Sequence, residues 1–403
     1  MNLVLKRLRA VFTFHGGWIA LLAAVSLTCL GIAAISTAEY GEGTHLARSQ
    51  TLWTMIALGL LAFCILPHPR QISLASYPLL LIALILLVFV LIPGVPSSIV
   101  KPRNGARSWI NLYFMNFQPS EMAKITFVLA LAYYLQYREN YRTLRGLIPP
   151  FIIMFIPVIL ILKEPDLGTA MLFPPALFVM LVAAGAKLKH MSILLSLAIL
   201  AATLNVAAIF YLPDSMQILK QHQRDRITSM ISQAQGDTRY IKGIGFQQHK
   251  AITLAGAGGI KGYGAERSRI IMRFNHLPED HNDMIFSVIM NRWGFIGGAV
   301  TVGLYMLLFL SFMMVAMRAS DPFCRIAMVG FAGLIFTQAV INITMTIGLM
   351  PITGITLPFV SYGGSSLLAT YAIVGLVVNF ASRRPALVMR PSFEFDEPAT
   401  TCR

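Results

Sequence analysis

Long apolar runs recur along the chain and are separated by short polar segments. A helix crosses the hydrocarbon layer of a bilayer, which is roughly 30 Å thick, with about 20 apolar residues. Ten runs reach or approach this length, and we predict that each forms a membrane-spanning helix. They cover residues 18–36, 49–67, part of 71–100, 118–136, 146–162, 167–186, 191–212, 293–317 with an earlier entry from 284, 326–347 and 358–382.

The predicted spans form one membrane domain, residues 1–382, which a short polar tail follows at 383–403. The interval 213–283 is much longer than the other connections and predicts one large loop between spans seven and eight. The last two spans are separated by a Gly/Pro-rich stretch at 348–366, since the uncharged run there is too long for one crossing. The expected fold is therefore an all-α polytopic membrane protein.

Composition supports a membrane protein. The chain has 403 residues, of which 56% are hydrophobic and 12% are charged, whereas soluble domains carry about 25% charged residues. This composition excludes an ordinary soluble enzyme and a disordered chain. The four cysteines show no metal-ligand spacing and are too few for a fold built on disulfides.

Basic residues predict the orientation. Short cytoplasmic loops are enriched in Lys and Arg, and with the N-terminus inside most such residues fall on the inner side. Both termini are therefore expected in the cytoplasm, and the large loop is expected outside. The net charge is +15. In a membrane protein this favours anionic lipid headgroups or a phosphate-bearing substrate as partners, and we expect no nucleic acid partner.

The fourth predicted span begins with two charged residues. Glu121 and Lys124 are three positions apart, so they share one helix face, and Pro119 suits a first helical turn. Charged residues inside spans are usually functional. One interpretation is a polar cavity in which Lys124 contacts a phosphate, and the other is a structural ion pair that joins helices. Spacing alone favours neither.

Two further segments offer cationic or glycine-rich surfaces. The predicted outer loop 101–109 carries Lys101, Arg103 and Arg107, which suit a lipid pyrophosphate or ordinary anionic lipid. The stretch 256–264 has several glycines around Lys261 and suits either close approach to phosphate or a hinge or re-entrant turn. Contact with ordinary anionic lipid is the commoner role for a loop like the first, and a hinge or turn is the commoner role for a stretch like the second.

The large loop ends in residues 277–283, where carboxylates and His281 meet the start of a hydrophobic helix. A partly desolvated carboxylate there is a better proton acceptor than one in bulk water. Asp283 is accordingly a candidate general base or metal ligand, and the alternative is that Asn282 or Asp283 caps the helix. Asp166 stands in the same position before span six and is expected to be a helix cap, the alternative being a place in the lining of the cavity.

Three motifs together resemble the RodA/FtsW family, the shape, elongation, division and sporulation proteins. They are Gln-Pro-Ser-Glu-Met-Ala-Lys at 118–124, Leu-Pro-Glu-Asp-His-Asn-Asp at 277–283, and the long segment 342–366 from Asn-Ile-Thr-Met to Gly-Gly-Ser-Ser. The similarity extends over nearly the whole chain. A short N-terminal extension and the residues at 273–278 favour an elongation-type member.

The resemblance implies a peptidoglycan glycosyltransferase that polymerises lipid II on the outer face of the bacterial plasma membrane, together with a class B penicillin-binding protein. It implies that Asp283 is catalytic and that Glu121 and Lys124 are functional. We add as candidate substrate-binding residues Arg103, Arg107, Lys261, His281, Ser361 and Ser365. A divalent cation, Mg²⁺ or Mn²⁺, is a candidate cofactor, although the sequence offers no convincing ligand set.

The chain departs from the family pattern at two places. Asn282 and Met284 replace the usual threonine and phenylalanine, and Asn291-Arg292 replaces a commonly acidic pair. We expect the first change to alter packing around Asp283 and the second to alter partner contacts or loop charge. Two rival functions stay open: a lipid II flippase, and a scaffold without catalysis for the penicillin-binding protein.

Overall fold

The computed structural model describes residues 15–39, 45–96, 98–100, 107–113, 115–138, 140–211, 213, 221–235, 245–275, 277 and 280–383. Within these ranges the protein is almost entirely helical. The helices are α1 (Gly16–Ala38), α2 (Leu46–Ile65), α3 (Pro69–Leu91), α4 (Pro119–Gln136), α5 (Ile148–Lys163), α6 (Leu167–Ala170), α7 (Phe173–Ala184), α8 (Leu188–Tyr211), α9 (Gln221–Ala234), α10 (Phe246–Ala257), α11 (Gly264–Asn275), α12 (Ile285–Arg318), α13 (Pro322–Thr346) and α14 (Gly364–Ser382). Short 3-10 turns at Asn140–Arg142 and Arg145–Leu147 precede α5.

In the part of the chain that the structure describes, nine helical segments are long and apolar enough to cross a membrane. The one predicted span that is not among these nine is the fourth, α4, whose 18 residues include the charged pair Glu121 and Lys124. This helix packs mainly against α3 and α13, and 13 of its 18 residues are buried. Because protein surrounds α4, it does not need the lipid-facing apolar surface of the other spans.

The predicted all-α polytopic fold is confirmed, with two differences in detail. A two-residue antiparallel hairpin, β1 (Ile110–Asn111) and β2 (Asn116–Phe117), lies just before α4. The last helix begins at Gly364 instead of 358, because the Gly/Pro-rich segment remains irregular up to that point. The single-domain boundaries stay a prediction, and residues 384–403 of the predicted tail lie outside the described residues.

The bundle has one main hydrophobic core, with members from Ala20 to Phe380. Helix α1 packs on α12, α2 packs on α14, and α13 lies against α4 and α7. Helix α8 is different, since Met191 is the one buried residue among the side chains described for it. Its apolar surface is suited to contact with lipid.

The predicted large loop, 213–283, contains helices α9, α10 and α11 in its described parts. Its glycine-rich stretch packs on a kink in α12 at Gly294, where φ is +65°. The Phe295 N–H donates to Gly259 O at 2.8 Å, and Asn291 O accepts the Tyr263 N–H at 3.0 Å. The glycine-rich stretch therefore supplies the backbone partners that the kink removes from α12, as the interpretation as a turn suggests.

Close approach at this contact requires Gly258. A Cβ atom added there would lie 2.0 Å from Met290 O, whereas one added at Gly256 would meet nothing within 4 Å. We expect Gly258→Ala to lower the free energy of unfolding by about 1–3 kcal/mol, since the backbones must separate. Gly256→Ala is the matched control and should not lower the melting temperature. Equal melting temperatures for the two variants would contradict this packing.

The turn between α5 and α6 holds a buried carboxyl group. Asp166 caps α6, as expected, and its Oδ1 accepts the Thr169 N–H at 2.9 Å. The neighbouring Glu164 is 1% exposed, and neither carboxyl oxygen has a hydrogen-bond partner among the described residues. Burial, and secondarily the Asp166 carboxylate, raise the pKa of Glu164 to about 8.

This raised pKa predicts a pH-dependent stability. Between the unfolded-state pKa of 4.5 and the folded-state pKa of about 8, the unfolded chain binds fewer protons, so the free energy of unfolding falls as pH rises. Glu164→Gln removes this dependence. The melting temperature of the variant should therefore rise relative to that of the wild type as the pH is raised from 5 to 8. The Asp321→Asn variant is the control. A constant difference across that range would contradict the assignment.

Candidate active site

Asp283 lies in the turn that leads into α12. The residue is 7% exposed, and its backbone oxygen accepts the Asn342 Nδ2 at 2.8 Å. The N-cap position falls on Met284, whose side chain makes no capping hydrogen bond. The position of the cap thus disagrees with the alternative in which Asn282 or Asp283 occupies it.

The residues just before Asp283 form a polar turn. The Nδ1 atom of His281 lies 3.0 Å from Asp280 Oδ1, and the His281 ring meets Tyr362 edge to face at 5.9 Å. The Tyr362 N–H donates to the His281 carbonyl at 2.9 Å. The His281 side chain is 30% exposed, against 4% for Asp280. Of these two side chains, His281 is therefore the one accessible from outside the protein.

The irregular segment that precedes α14 holds the same turn from the other side. The Ser361 hydroxyl donates to Asn282 O and accepts the Leu357 N–H at 2.7 Å. Gln50 of α2 donates to Ser361 O at 3.1 Å and accepts the Gly363 N–H at 3.2 Å. Irregular backbone inside a membrane protein must find such partners within the protein. Ser361, a predicted substrate ligand, therefore lies at the site and fixes the turn that carries Asp283.

The predicted pair at the start of α4 is formed. Lys124 Nζ lies 2.9 Å from Glu121 Oε1 and donates to Gln338 Oε1 at 3.1 Å, and both charged residues are 5% exposed. Gln338 in turn donates through Nε2 to Thr356 O at 3.0 Å. The second carboxyl oxygen of Glu121 is buried and has no hydrogen-bond partner among the described residues.

Helix α13 links the pair on α4 to the turn at Asp283. Gln338 and Asn342 are four positions apart and share one helix face. Asn342 donates to Ile355 O at 2.6 Å as well as to Asp283 O, while Gln338 binds the next residue of that segment, Thr356. The Lys124 cation and the Asp283 backbone are thus joined by a short chain of buried hydrogen bonds.

Helix starts converge at the same end of the bundle. Ser365, in the first turn of α14, accepts the Gln118 N–H at 3.1 Å, and Gln118 donates to Asp166 Oδ2 at 3.2 Å. These contacts join the N-termini of α14, α4 and α6, and the turn at Asp283 leads into the N-terminus of α12. N-terminal helix ends carry partial positive charge and favour anions. Ser365 therefore lies at an end suited to a phosphate group.

Other predicted substrate ligands lie elsewhere or are engaged in the scaffold. Arg107 donates to Pro93 O at 3.3 Å and to Val95 O at 2.8 Å, so its guanidinium joins two parts of the loop after α3. Lys261 is exposed beside the kink of α12. Arg103 lies outside the described residues, as does Glu279 of the 277–283 motif. Their roles as substrate ligands stay predictions.

Three amide side chains that position this site were absent from the predicted set. Gln50, Gln338 and Asn342 are all buried, and each binds backbone of the irregular segment. The signal that could have identified them is their place within long apolar spans, where buried polar groups require partners.

The departure at 291–292 has contacts within the chain. Asn291 donates to Leu254 O of α10 at 3.1 Å. Arg292 donates to Thr37 Oγ1 at 2.7 Å and to Ala33 O, both in α1, and stacks over the Trp293 ring at 4.3 Å. These residues therefore connect α12 to its neighbours. The expected effect on partner contacts stays a prediction.

The described residues do not assemble a conventional metal site. No group of three or more His, Cys, Asp or Glu side chains among them is placed to hold a metal ion. Asp280 and Asp283 are the described carboxylates of the turn, and Mg²⁺ is commonly bound through one or two carboxylates, with water and substrate phosphates completing its ligands. The divalent cation stays a prediction.

The chain is similar to known proteins over most of its length. The chain matches the profile of the Cell cycle protein family, FtsW/RodA/SpoVE, over residues 10–385. A probable peptidoglycan glycosyltransferase FtsW of Geobacter sulfurreducens is 30% identical, with 91% of this chain and 95% of the relative covered. Stage V sporulation protein E of Bacillus subtilis is 35% identical over 75% of this chain and 77% of the relative.

Solved structures give the same result. A chain of a peptidoglycan synthase complex, described in terms of polymerization and crosslinking, superposes with a TM-score of 0.72 at 29% identity and covers 90% of this chain and 96% of its own. The rod shape determining protein RodA of Thermus thermophilus gives 0.64 at 27% identity, with 91% and 97% covered. Because the matches include FtsW, SpoVE and RodA, the elongation type stays a prediction. The chain belongs to the FtsW/RodA/SpoVE family of multi-pass membrane proteins.

Proposed function

We propose that this protein is a peptidoglycan glycosyltransferase in which Asp283 acts as the general base. The observation that carries the proposal is the buried chain of hydrogen bonds from Lys124 through α13 to the backbone of Asp283. It joins the Lys124 cation to the backbone oxygen of Asp283 at one end of the bundle. Relatives named peptidoglycan glycosyltransferase FtsW support the same reaction class.

The reaction joins two lipid-linked glycan chains. The GlcNAc 4-hydroxyl of one lipid II molecule attacks the anomeric carbon of the other chain, the carbon–oxygen bond to the lipid pyrophosphate breaks, and the hydroxyl proton passes to Asp283. A carboxylate placed within hydrogen-bond reach of the hydroxyl can act as the general base for this step. Ser361 and Asn342 fix the backbone of the turn. Less conformational entropy is therefore lost when the carboxylate is positioned for the reaction.

The leaving pyrophosphate requires positive charge. The N-terminal ends of α4 and α14 and the nearby Lys124 supply it, with Glu121 orienting the lysine. Since Lys124 is 5% exposed and bound to Glu121 and Gln338, its contact with phosphate requires the site to open. Arg103, Arg107 and Lys261 are further candidates for the same charge, and His281 and Ser365 are candidates for contacts with the sugar or phosphate.

The substrate class implies a location and a partner. Lipid II polymerisation takes place at the outer face of the bacterial plasma membrane, which places the Asp283 end of the bundle outside and both termini in the cytoplasm, in agreement with the basic residues. A class B penicillin-binding protein is the proposed partner that cross-links the strands. The structural match to a peptidoglycan synthase complex supports this pairing.

Placement of the charged residues favours an enzyme over a flippase. Transport sites usually lie near the middle of the membrane, whereas Asp283 precedes α12 and Glu121 lies in the first turn of α4. The charged groups are thus at the ends of helices, where a sugar headgroup resides.

Asp283→Asn tests the general base. We expect the polymerisation rate to fall at least about a hundredfold, since general base catalysis contributes roughly 10²–10⁴-fold. Polymer should be measured by gel electrophoresis after purified protein, its cognate penicillin-binding protein and lipid II are incubated with moenomycin. Asp321→Asn is the matched control, because Asp321 caps α13 and asparagine caps equally well. A wild-type rate for Asp283→Asn would remove this residue from the proposed role.

Charge at Lys124 is tested by pairing substitutions. Lys124→Met leaves Glu121 buried and unpaired, which should cost about 3–5 kcal/mol of stability. Adding Glu121→Gln should recover much of that stability. We expect the double variant to remain deficient in polymerisation, because the cation is still missing. If polymerisation recovers together with the melting temperature, the pair is structural and Lys124 has no role in the reaction.

A further inference from the structure

Helix α11 lies against the end of α1, on the Asp283 side of the bundle. Arg292, near the start of α12, binds Thr37 at the end of α1, so these two helix ends are on that side. Helix α11 packs on both helices, and Arg269 Nη2 donates to Ser36 O, in the last turn of α1, at 3.3 Å. Helix α1 has 23 residues and is about 35 Å long, enough to cross the hydrocarbon layer. Contact with its last turn therefore places α11 near the boundary between lipid and water.

The residues that lead into α11 lie beside a lipid-facing part of α12. The Ile296 N–H donates to Ile260 O at 3.2 Å. Phe295 and Ile296 have exposed side chains within a helix that is long and apolar enough to cross a membrane, so lipid is their natural environment. Ile260 and Tyr263 are exposed as well, and tyrosine is enriched at membrane boundaries. The chain therefore enters α11 at the level of the lipid headgroups.

Helix α11 turns one face to the protein and leaves an apolar pair on the other. Ser268 and Met272 are four positions apart and are both buried. Ile270 and Phe274 are also four positions apart, so they share a second face, and they are 57% and 78% exposed. Adjacent large apolar side chains that the protein leaves uncovered indicate a surface that meets something apolar.

Basic side chains flank the apolar pair. Arg267 and Arg273 are exposed, and each lies three positions from Ile270, so both border its face. The helix contains three arginines against the single acid Glu266, which leaves it positively charged. An amphipathic helix with basic margins and a Phe- or Leu-type apolar face is typical of segments that lie in the membrane interface. Anionic phospholipid headgroups complement its charge.

We propose that α11 binds the membrane surface on the Asp283 side as an interfacial helix. Ile270 and Phe274 insert among the glycerol groups and upper acyl carbons, while Arg267 and Arg273 bind the phosphates of anionic phospholipids such as phosphatidylglycerol. The proposal does not depend on the reaction proposed above. Because the turn that carries Asp283 follows α11 along the chain, anchoring α11 holds that turn at the level of the lipid headgroups.

Membrane depth is the first test. The full-length protein, with its four cysteines replaced by alanine and a nitroxide attached through Phe274→Cys, is reconstituted into vesicles of phosphatidylcholine and phosphatidylglycerol. We expect oxygen, which concentrates in the bilayer, to relax this label more strongly than a water-soluble nickel chelate does. Leu204→Cys, on the exposed surface of α8, is the lipid-facing control, and Gln221→Cys in the polar helix α9 is the aqueous control. A label at position 274 that behaves like the one at position 221 would overturn the proposal. Protection from nickel that appears only when the penicillin-binding protein is added would assign this face to that partner and also overturn it.

The charges are tested in the protein with its native cysteines. We expect the wild type to melt at a higher temperature in nanodiscs that contain phosphatidylglycerol than in nanodiscs of phosphatidylcholine with the same acyl chains. Arg267→Gln combined with Arg273→Gln should lose most of this difference, because the charges that bind the headgroups are removed. Arg318→Gln combined with Arg325→Gln is the matched control, since these arginines are also exposed but lie at the opposite end of α12 and the start of α13, and it should keep the difference. Equal losses in the two double variants would show diffuse charge attraction and contradict the proposal.

Discussion

The need to satisfy buried backbone groups determines how the candidate site is built. The segment between α13 and α14 is irregular, yet it lies among membrane-spanning helices. With no water in the hydrocarbon region, such a segment persists only if the protein supplies its hydrogen-bond partners. Gln50, Gln338 and Asn342 do so. Two of these amides, Gln338 and Asn342, also bind Lys124 and the Asp283 backbone. The side chains that stabilise the irregular segment therefore also position Lys124 and the turn that carries Asp283.

Burial has opposite consequences for the ionisable groups of the two ends. At the Asp283 end, Glu121, Lys124 and Asp280 are almost fully buried, so their charges depend on neighbours within the protein. At the other end, where α12 ends and α13 begins, Arg318 and Arg325 are exposed, so their charges do not depend on such neighbours. The first arrangement suits a reaction that needs a fixed electrostatic environment.

Much of the fold could be predicted from the sequence, because membrane spans depend on length and apolarity alone. The ion pair of α4 was also accessible, since the spacing of Glu121 and Lys124 fixes a shared helix face. The partners of these residues were not accessible. Gln338 meets Lys124, and Ser361 meets Asn282, only because separate helices pack in a particular register, and that register depends on the packing of the whole core.

The kink at Gly294 divides α12 into two mechanically different parts. Below it, the helix continues through an unbroken ladder to Arg318. Above it, the short first portion that follows Asp283 accepts one hydrogen bond from the glycine-rich stretch, at Asn291 O, while the N–H groups of Phe295 and Ile296 just below the kink donate to the same stretch. The 256–264 stretch therefore clamps both parts of α12 at the point where its own ladder is interrupted. A force applied to that stretch would act on the kink itself, and so on the angle at which the portion carrying Asp283 leaves the rest of the helix.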